Sequence, residues 1–340
     1  MREDISNNIR KKISEIKDFS GVVSIRCKDK DVYNEAFGFA DLNNERKNNK
    51  DTRFGIASGA KIFTSISICK LIEEGKLSFE SLLIDILGYE FNNFNKEVKI
   101  KHLLTHTSGI PDYFDEEVMS DFSELWIENP MYLLREPKDF IPLLKKGRTM
   151  FKPGDKFHYN NGAFIVLGLV VEKVSGKSFV DFVQENIFDI ANMKDSGYFA
   201  MDNLPKNSAY GYLENKEGKL ITNIYSIPVV GGPDGGIFVT SRDMNKLWNS
   251  LFNYKLLSKK MTDNLLKPQV DVNKDVYYGY GIWIIKNEDE IFKYYLTGSD
   301  PGVDFISAIY PKSNLEVTIL CNREFGAYEI SSFIESMDIQ

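Results

Sequence analysis

The sequence is poor in cysteine and has no long apolar run. Its 340 residues include three cysteines, Cys27, Cys69 and Cys321, which are far apart and set among apolar residues. This pattern predicts buried free thiols in a reducing compartment and not a disulfide framework. No segment holds enough uninterrupted apolar residues to cross a bilayer, so we expect no membrane span. The first residues, MREDISNNIRKKISEIKDFSG, lack the apolar centre of a secretory signal, which predicts a cytoplasmic protein.

Positive charge is not concentrated in any part of the chain. The 42 Lys and Arg are scattered and are outnumbered by 49 Asp and Glu, which gives a formal net charge of -7. A chain without a basic stripe is not expected to bind nucleic acid. Apolar residues make up 43% and charged residues 27%, as in ordinary soluble proteins with a substantial core.

The pattern of secondary structure predicts strands at both ends of the chain and helices in the middle. An amphipathic helix from Ile5 to Ile16 precedes a hairpin formed by GVVSIRC and VYNEAFGFA. A mostly helical middle follows, and four strand-like runs begin near Tyr278 before a last helix, YEISSFIESM. This order predicts an α+β fold in which one antiparallel sheet is assembled from both chain ends. We expect residues 1–57 and 220–340 to form the sheet domain and 58–219 a mostly helical domain.

A serine and a lysine stand three residues apart in the stretch SGAK, which supplies Ser58 and Lys61. Residues i and i+3 of a helix share a face, so Lys61 would lie over Ser58, at the positive end of the helix dipole. A serine hydroxyl needs a base within hydrogen-bond reach, and a lysine serves as that base only when its pKa falls. Taken singly, Ser58 is read as a helix N-cap and Lys61 as a solvated lysine.

Three further stretches follow in order along the chain. They are HYNN, with Tyr159 and Asn161; the glycine-rich GGPDGGIFVTSRDM; and YLTGSDPG at a strand end. In this order and spacing the chain resembles the serine β-lactamase and penicillin-binding-protein-like family, nearest to its class C β-lactamase and esterase branch. The resemblance runs from about Gly21 to Asn322 and implies a β-lactamase/transpeptidase-like fold with the site in a cleft between two domains.

The resemblance also implies a role for each residue of the set. Ser58 would be the nucleophile, Lys61 its base, and Tyr159 a partner in proton transfer. Asn161 would hydrogen-bond the substrate, together with Thr297 and Gly298 of the third motif. The backbone N–H groups of Ser58 and Ser299 would form the oxyanion hole. This is Ser-Lys acyl-transfer chemistry, which needs no catalytic histidine and no cofactor.

The third motif departs from the family pattern. It is usually Lys-Thr-Gly, His-Thr-Gly or His-Ser-Gly, whereas here Leu296 takes the place of the cation. Asp300 follows Ser299 directly, and Asp234 lies in the glycine-rich turn. Together with Tyr113, these two aspartates are candidate specificity residues. The loss of a cation should disfavour substrates that carry a carboxylate. We therefore expect an esterase or amidase that acts on a small neutral or amine-bearing substrate.

Other functions remain open from the sequence. A β-lactamase or a D,D-carboxypeptidase or D-aminopeptidase-type hydrolase is the first alternative, and a non-catalytic penicillin-binding-like sensor is the second. His102 and His106 have a spacing that invites a zinc site, but the glutamate of a zincin helix and an obvious third ligand are missing. We expect a structural turn there and no bound metal. The natural substrate and the oligomeric state do not follow from the sequence.

Overall fold

An eight-stranded antiparallel sheet forms the centre of the molecule. The computed structural model describes residues 2–28, 30–119 and 121–337. The sheet has the strand order β2-β1-β14-β13-β12-β11-β10-β9. The strands of the protein are β1 Gly21–Cys27, β2 Lys30–Phe37, β3 Phe39–Asp41, β4 Arg46–Lys47, β5 Phe54–Gly55, β6 Tyr212–Glu214, β7 Leu220–Thr222, β8 Phe238–Val239, β9 Val270–Asn273, β10 Val276–Tyr278, β11 Trp283–Asn287, β12 Glu290–Asp300, β13 Val303–Tyr310 and β14 Leu315–Cys321.

Helices cover both faces of the sheet. The α-helices are α1 Arg2–Glu15, α2 Lys61–Glu73, α3 Leu83–Leu87, α4 Ile100–Leu104, α5 Leu125–Glu128, α6 Ile141–Lys145, α7 Asn161–Ser175, α8 Phe179–Val183, α9 Asp189–Ala191, α10 Ser241–Phe252, α11 Lys259–Leu266 and α12 Ala327–Glu335. The terminal helices α1 and α12 pack on one face through a compact apolar cluster that includes Ile9, Ile13 and Ile330. The larger core, which contains α2, α7 and α10, lies on the other face.

The predicted α+β architecture is confirmed, with differences at the strand boundaries. The first hairpin strand pairs with the last strand, Gly21 opposite Cys321, so the two ends of the chain share one sheet. The sequence pattern missed β9 and β10. Strand β9 alternates half-buried and exposed residues, and β10 has only three residues, so neither contains a strong apolar run. The stretch read as a single strand through Ala40 breaks at Gly38, whose φ of +67° turns the chain towards β4.

Helix α2 lies deep in the larger core and carries the lysine of the predicted catalytic pair. Every residue from Lys61 to Leu71 except Lys70 is buried, so this helix reaches solvent only near its C-terminal end. The helix ends just before Gly75, which has a φ of +71°. Gly75 and Lys76 donate their N–H groups back to the carbonyls of Ile72 and Leu71.

The division into one domain of residues 1–57 and 220–340 and another of residues 58–219 stays a prediction. Met1, Asp29, Ser120 and residues 338–340 lie outside the described part of the chain. Strand β5 lies just before the predicted boundary, and β8 lies just before α10. These two strands pair with each other. Within the described ranges, no helix is long and apolar enough to cross a membrane.

Candidate active site

A cleft of about 700 Å³ opens beside Ser58. Its walls come from the turn before α2, the loop that follows Tyr113, the glycine-rich loop and the end of β12. Aromatic side chains, among them Phe114 and Phe140, form its apolar part. A concave, partly apolar site of this size with a few convergent polar groups is suited to a small organic substrate.

Ser58 lies in a 3₁₀ turn, Ala57–Ala60, and α2 begins three residues later at Lys61. The expectation that Ser58 opens the α-helix is therefore wrong by one turn, although the two side chains still meet. The turn is tight because Ala57 has a φ of +45°, a left-handed conformation that costs a non-glycine residue free energy. Ser58 remains partly accessible to solvent, which is what a nucleophile requires.

Lys61 connects the three parts of the site. Its Nζ donates to Ser58 Oγ, to Asn161 Oδ1 and to the backbone carbonyl of Asp234, each at 2.8 Å. The side chain is only 2% exposed, and this burial lowers its pKa from the ordinary 10.5. The negative charge of nearby carboxylates, chiefly Asp234, opposes that shift. Lys61 is thus the kind of buried amine that can give up a proton and act as a base.

Tyr159 lies directly above this lysine. Its ring centroid is 4.9 Å from Lys61 Nζ, and the ring stacks at 6.1 Å on the indole of Trp283. Burial and the charge of Glu116 hold the pKa of the phenol well above 10, while a hydrogen bond with Ser58 opposes that rise. A neutral phenol can relay a proton from the serine oxygen if it accepts that proton while it donates its own, so that it carries no net charge.

Two groups from the loop after α4 hold the chain segment that carries Tyr159. The backbone N–H of Asn160 donates to His106 Nδ1 at 3.0 Å, and the N–H of Asn161 donates to Asp112 Oδ2 at 2.7 Å. Asn160 also caps α7 by accepting the N–H of Ala163 at 2.7 Å. The predicted site residues Tyr159 and Asn161 are therefore held in place by residues that lie outside the HYNN motif.

The end of β12 lies against the turn that carries Ser58. A Cβ at Gly298 would lie 2.2 Å from the carbonyl oxygen of Ile56 and 2.7 Å from the backbone nitrogen of Ser58, so only glycine allows this approach. The next residue, Ser299, lines the cleft with Ser58. The backbones of Ser58 and Ser299 are thus brought to the same side of the cleft, as an oxyanion hole requires.

The glycine-rich loop places Asp234 under the site. Thr64 Oγ1 donates to the carbonyl of Pro233 at 2.6 Å, and a Cβ at Gly168 would lie 2.0 Å from the Pro233 ring, so the loop is held between α2 and α7. The hydroxyl of Tyr113 donates to Asp234 Oδ2. Burial raises the pKa of Asp234, and the charge of Lys61 and the Tyr113 hydroxyl oppose the rise.

Three of the predicted binding residues are used inside the protein. Leu296 is 2% exposed and belongs to the hydrophobic core, so its predicted role in specificity cannot be a direct contact with the substrate. The Thr297 hydroxyl donates to the carbonyl of Phe305 at 3.1 Å, within the sheet. Asn161 lines the cleft, but its amide already bonds Lys61 Nζ, the Phe114 carbonyl and Glu116. By contrast, Asp300 lines the cleft beside Ser299.

Sequence analysis missed Asp112 and Glu116, which both contact the Asn161 segment. Asp112 receives the N–H groups of Asn161 and Gly162, and burial raises its pKa to about 7. Glu116 Oε1 accepts from Asn161 Nδ2 at 3.0 Å and lines the cleft. Both follow the stretch HLLTHTSGI, and nothing in their local sequence separates them from the other acidic residues of that loop.

The two histidines with zincin-like spacing are occupied by protein hydrogen bonds. His102 Nδ1 accepts the backbone N–H of Lys99 at 3.2 Å, and both ring nitrogens of the buried His106 have partners, the N–H of Asn160 and the hydroxyl of Tyr278. Burial lowers the pKa of His106 well below 6.5. Among residues 2–28, 30–119 and 121–337, no group of three or more His, Cys, Asp and Glu side chains could hold a metal ion.

Comparison with known proteins gives consistent matches over most of the chain. A family model described as Beta-lactamase matches residues 9–331. A penicillin binding protein from Bacillus halodurans, known as a crystal structure, is 47% identical and has a TM-score of 0.93, with 96% of this chain and 99% of that chain covered. A D-stereospecific amidohydrolase from Streptomyces sp. shares the fold at 19% identity, with a TM-score of 0.81 and 96% of each chain covered. A curated penicillin-binding protein of Bacillus subtilis (strain 168) is 26% identical over 310 residues, which are 86% of this chain and 66% of that relative.

Proposed function

The chain belongs to the β-lactamase family, and from this premise we propose that it is a serine hydrolase that cleaves a small ester or amide through an acyl-Ser58 intermediate. The observation that carries the proposal is the 2.8 Å contact between Ser58 Oγ and the Nζ of the buried Lys61. The chain spans 66% of the length of its Bacillus subtilis relative, so the activity is argued from the site itself.

The geometry supports a sequence of two acyl transfers. Ser58 Oγ attacks the carbonyl carbon while its proton passes to Lys61 with the help of the Tyr159 phenol. The negative charge that develops on the carbonyl oxygen is held by the N–H groups of Ser58 and Ser299. The bond to the leaving group then breaks as that group takes up the proton, and water releases the acid from Ser58 by the same steps in reverse.

Carboxylate-bearing substrates fit this cleft poorly. Asp234 and Asp300 line the cleft together with Ser58, and their negative charge in a partly desolvated site would repel the carboxylate of a β-lactam or a D-Ala-D-Ala peptide. This charge pattern supports esterase or amidase activity ahead of β-lactamase or D,D-carboxypeptidase activity.

A fluorophosphonate probe and a p-nitrophenyl ester test the proposal together. Ser58→Ala should abolish labelling and reduce ester turnover by at least about 10³-fold, because no other group forms the acyl intermediate. Ser67→Ala is the matched control, since Ser67 lies on the same helix and its hydroxyl donates to the Phe63 carbonyl. Labelling of Ser58 without any turnover would assign the penicillin-binding-like sensor instead, and turnover that survives Ser58→Ala would overturn both.

We propose that the reaction needs neither metal nor organic cofactor and that the protein acts in the cytoplasm. The free state of Cys27, Cys69 and Cys321 supports a reducing compartment. A chelator should leave ester turnover unchanged, and loss of turnover that zinc restores would overturn the first statement. Cell fractionation with an antibody to the protein checks the second.

A further inference from the structure

The charged part of the cleft is mainly acidic. Glu214 is 3.5 Å from Lys17 and is thereby partly compensated, and Asp234 is bonded by Tyr113. The charged side chains among the described lining residues are Glu116, Asp121, Glu214, Asp234, Asp300, Glu324 and Lys216. A cleft lined by charges of one sign focuses their field and favours ligands of the opposite sign.

Three of these carboxylates act on the catalytic lysine. Asp234, Glu116 and Asp300 each favour the charged form of Lys61. Asp234 is bonded by Tyr113, and Glu116 by Asn161. Within the described residues no hydrogen bond reaches the carboxylate of Asp300, although this side chain is only partly exposed and feels the charges of the other two. Among these three carboxylates Asp300 is therefore the one without a hydrogen-bond partner in the described part of the chain, and Lys61 supplies the positive charge that acts on it.

Asp300 also lies close to the point where the substrate carbonyl would be held. It follows Ser299 directly, and neighbouring Cα atoms are about 3.8 Å apart. If the substrate carbonyl accepts the Ser299 N–H, a substrate group that binds Asp300 is therefore only a few bonds away from that carbonyl. A cation at that place would satisfy Asp300 and reduce the repulsion among the three carboxylates, whereas an anion would increase it.

We propose that the substrate is an amino-acid ester or amide with a free amino group next to the scissile carbonyl, and that Asp300 binds its ammonium. This inference rests on the proposed serine-hydrolase function and narrows its substrate class. The ammonium takes no part in the bond changes at Ser58. It orients the acyl group, and Glu116 and Asp234 add to the attraction through space.

The test compares alanine p-nitroanilide with its N-acetyl derivative, for both enantiomers. We expect kcat/KM of the wild-type protein to favour the free amine by at least about tenfold, the effect of one good charge pair. Asp300→Asn should reduce that ratio by about tenfold, and Asp300→Glu should retain most of it because the charge remains. The matched control is Asp263→Asn, which makes the same chemical change at an exposed ion pair with Lys259 on α11 and should leave the ratio unchanged.

The result is judged against probe labelling of Ser58 and turnover of p-nitrophenyl acetate by the same preparations. Suppose that Ser58 is labelled and the ester is turned over, but the ratio of kcat/KM for the free amine to that for the N-acetyl derivative is near one or is unchanged in Asp300→Asn. That result would overturn the ammonium site and leave the proposed function standing. Loss of both labelling and ester turnover in the wild-type protein would overturn the function and this inference with it. A ratio that falls in Asp300→Asn and is kept in Asp300→Glu supports the inference.

Discussion

The backbone N–H of Asn160 donates to Nδ1 of His106 across 3.0 Å. This bond fixes the tautomer of the imidazole, because an Nδ1 that accepts leaves Nε2 to carry the proton and to donate to the Tyr278 hydroxyl at 3.1 Å. The His106 ring also lies against the ring of Tyr159, with centroids 4.3 Å apart. We therefore expect the fully buried His106 to act as a positioning residue that holds Tyr159 near Ser58.

His106→Phe should lower kcat by about 10²-fold with little change in KM, because a misplaced Tyr159 affects proton transfer more than binding. The unpaired N–H of Asn160 should also cost about 1–3 kcal/mol of the free energy of unfolding. Steady-state kinetics and thermal melting measure both effects. His106→Gln, whose amide oxygen can accept the same N–H, should recover part of kcat. A purely structural role predicts instead that kcat follows the melting temperature in both variants.

Lys61 and Tyr159 should behave as one proton-transfer unit. Lys61→Ala and Tyr159→Phe should each reduce kcat strongly, whereas the double variant should lose little more than the worse single variant. A double-mutant cycle on a p-nitrophenyl ester, with folding checked by circular dichroism, measures the coupling. Losses that multiply would mean that the two groups act independently.

The rate should rise with pH as Lys61 loses its proton. Burial lowers the pKa of Lys61, so kcat/KM is expected to increase through an apparent pKa below 10.5. Asp234 is the first of the groups that oppose this shift, because its negative charge favours the protonated amine. Asp234→Asn should therefore move the rising limb of the pH profile to lower pH. A limb that moves to higher pH would contradict the proposed base.

Asp300 should destabilise the folded protein at neutral and alkaline pH. Burial and the charge of Asp234 raise the pKa of its carboxyl from 3.8 to about 7. The folded state then holds this proton more tightly than the unfolded state, so stability falls as pH rises between those two values. Asp300→Asn should increase the melting temperature at about pH 8 and should lose that advantage near about pH 4. Equal effects at both values would show that the Asp300 carboxyl titrates normally.

The predicted family and fold are confirmed, and local sequence was sufficient for much of both. The apolar run GAFIVLGLVVEKVSG, which ends at Gly176, predicts a helix, and α7 covers this run up to Gly176, whose φ is +72°. The spacing of Ser58 and Lys61 brings them together whether the turn between them is α or 3₁₀, because three residues make about one turn in either helix. These features depend on neighbours within a few residues, which a sequence displays directly.

Tertiary structure decided which residues surround Ser58 and Lys61. Leu296 occupies the motif position of a cation, yet the packing of β12 puts its side chain into the hydrophobic core. Asp112 and Glu116 reach the site only because their loop folds back onto the start of α7, about fifty residues later in the sequence. The balance of charge around Lys61 depends on such contacts, since electrostatic energy follows distance in space and solvent exposure and not separation along the chain. The sequence by itself predicts Ser58 as the nucleophile and Lys61 as its base, and the fold decided which charges lie around these two residues.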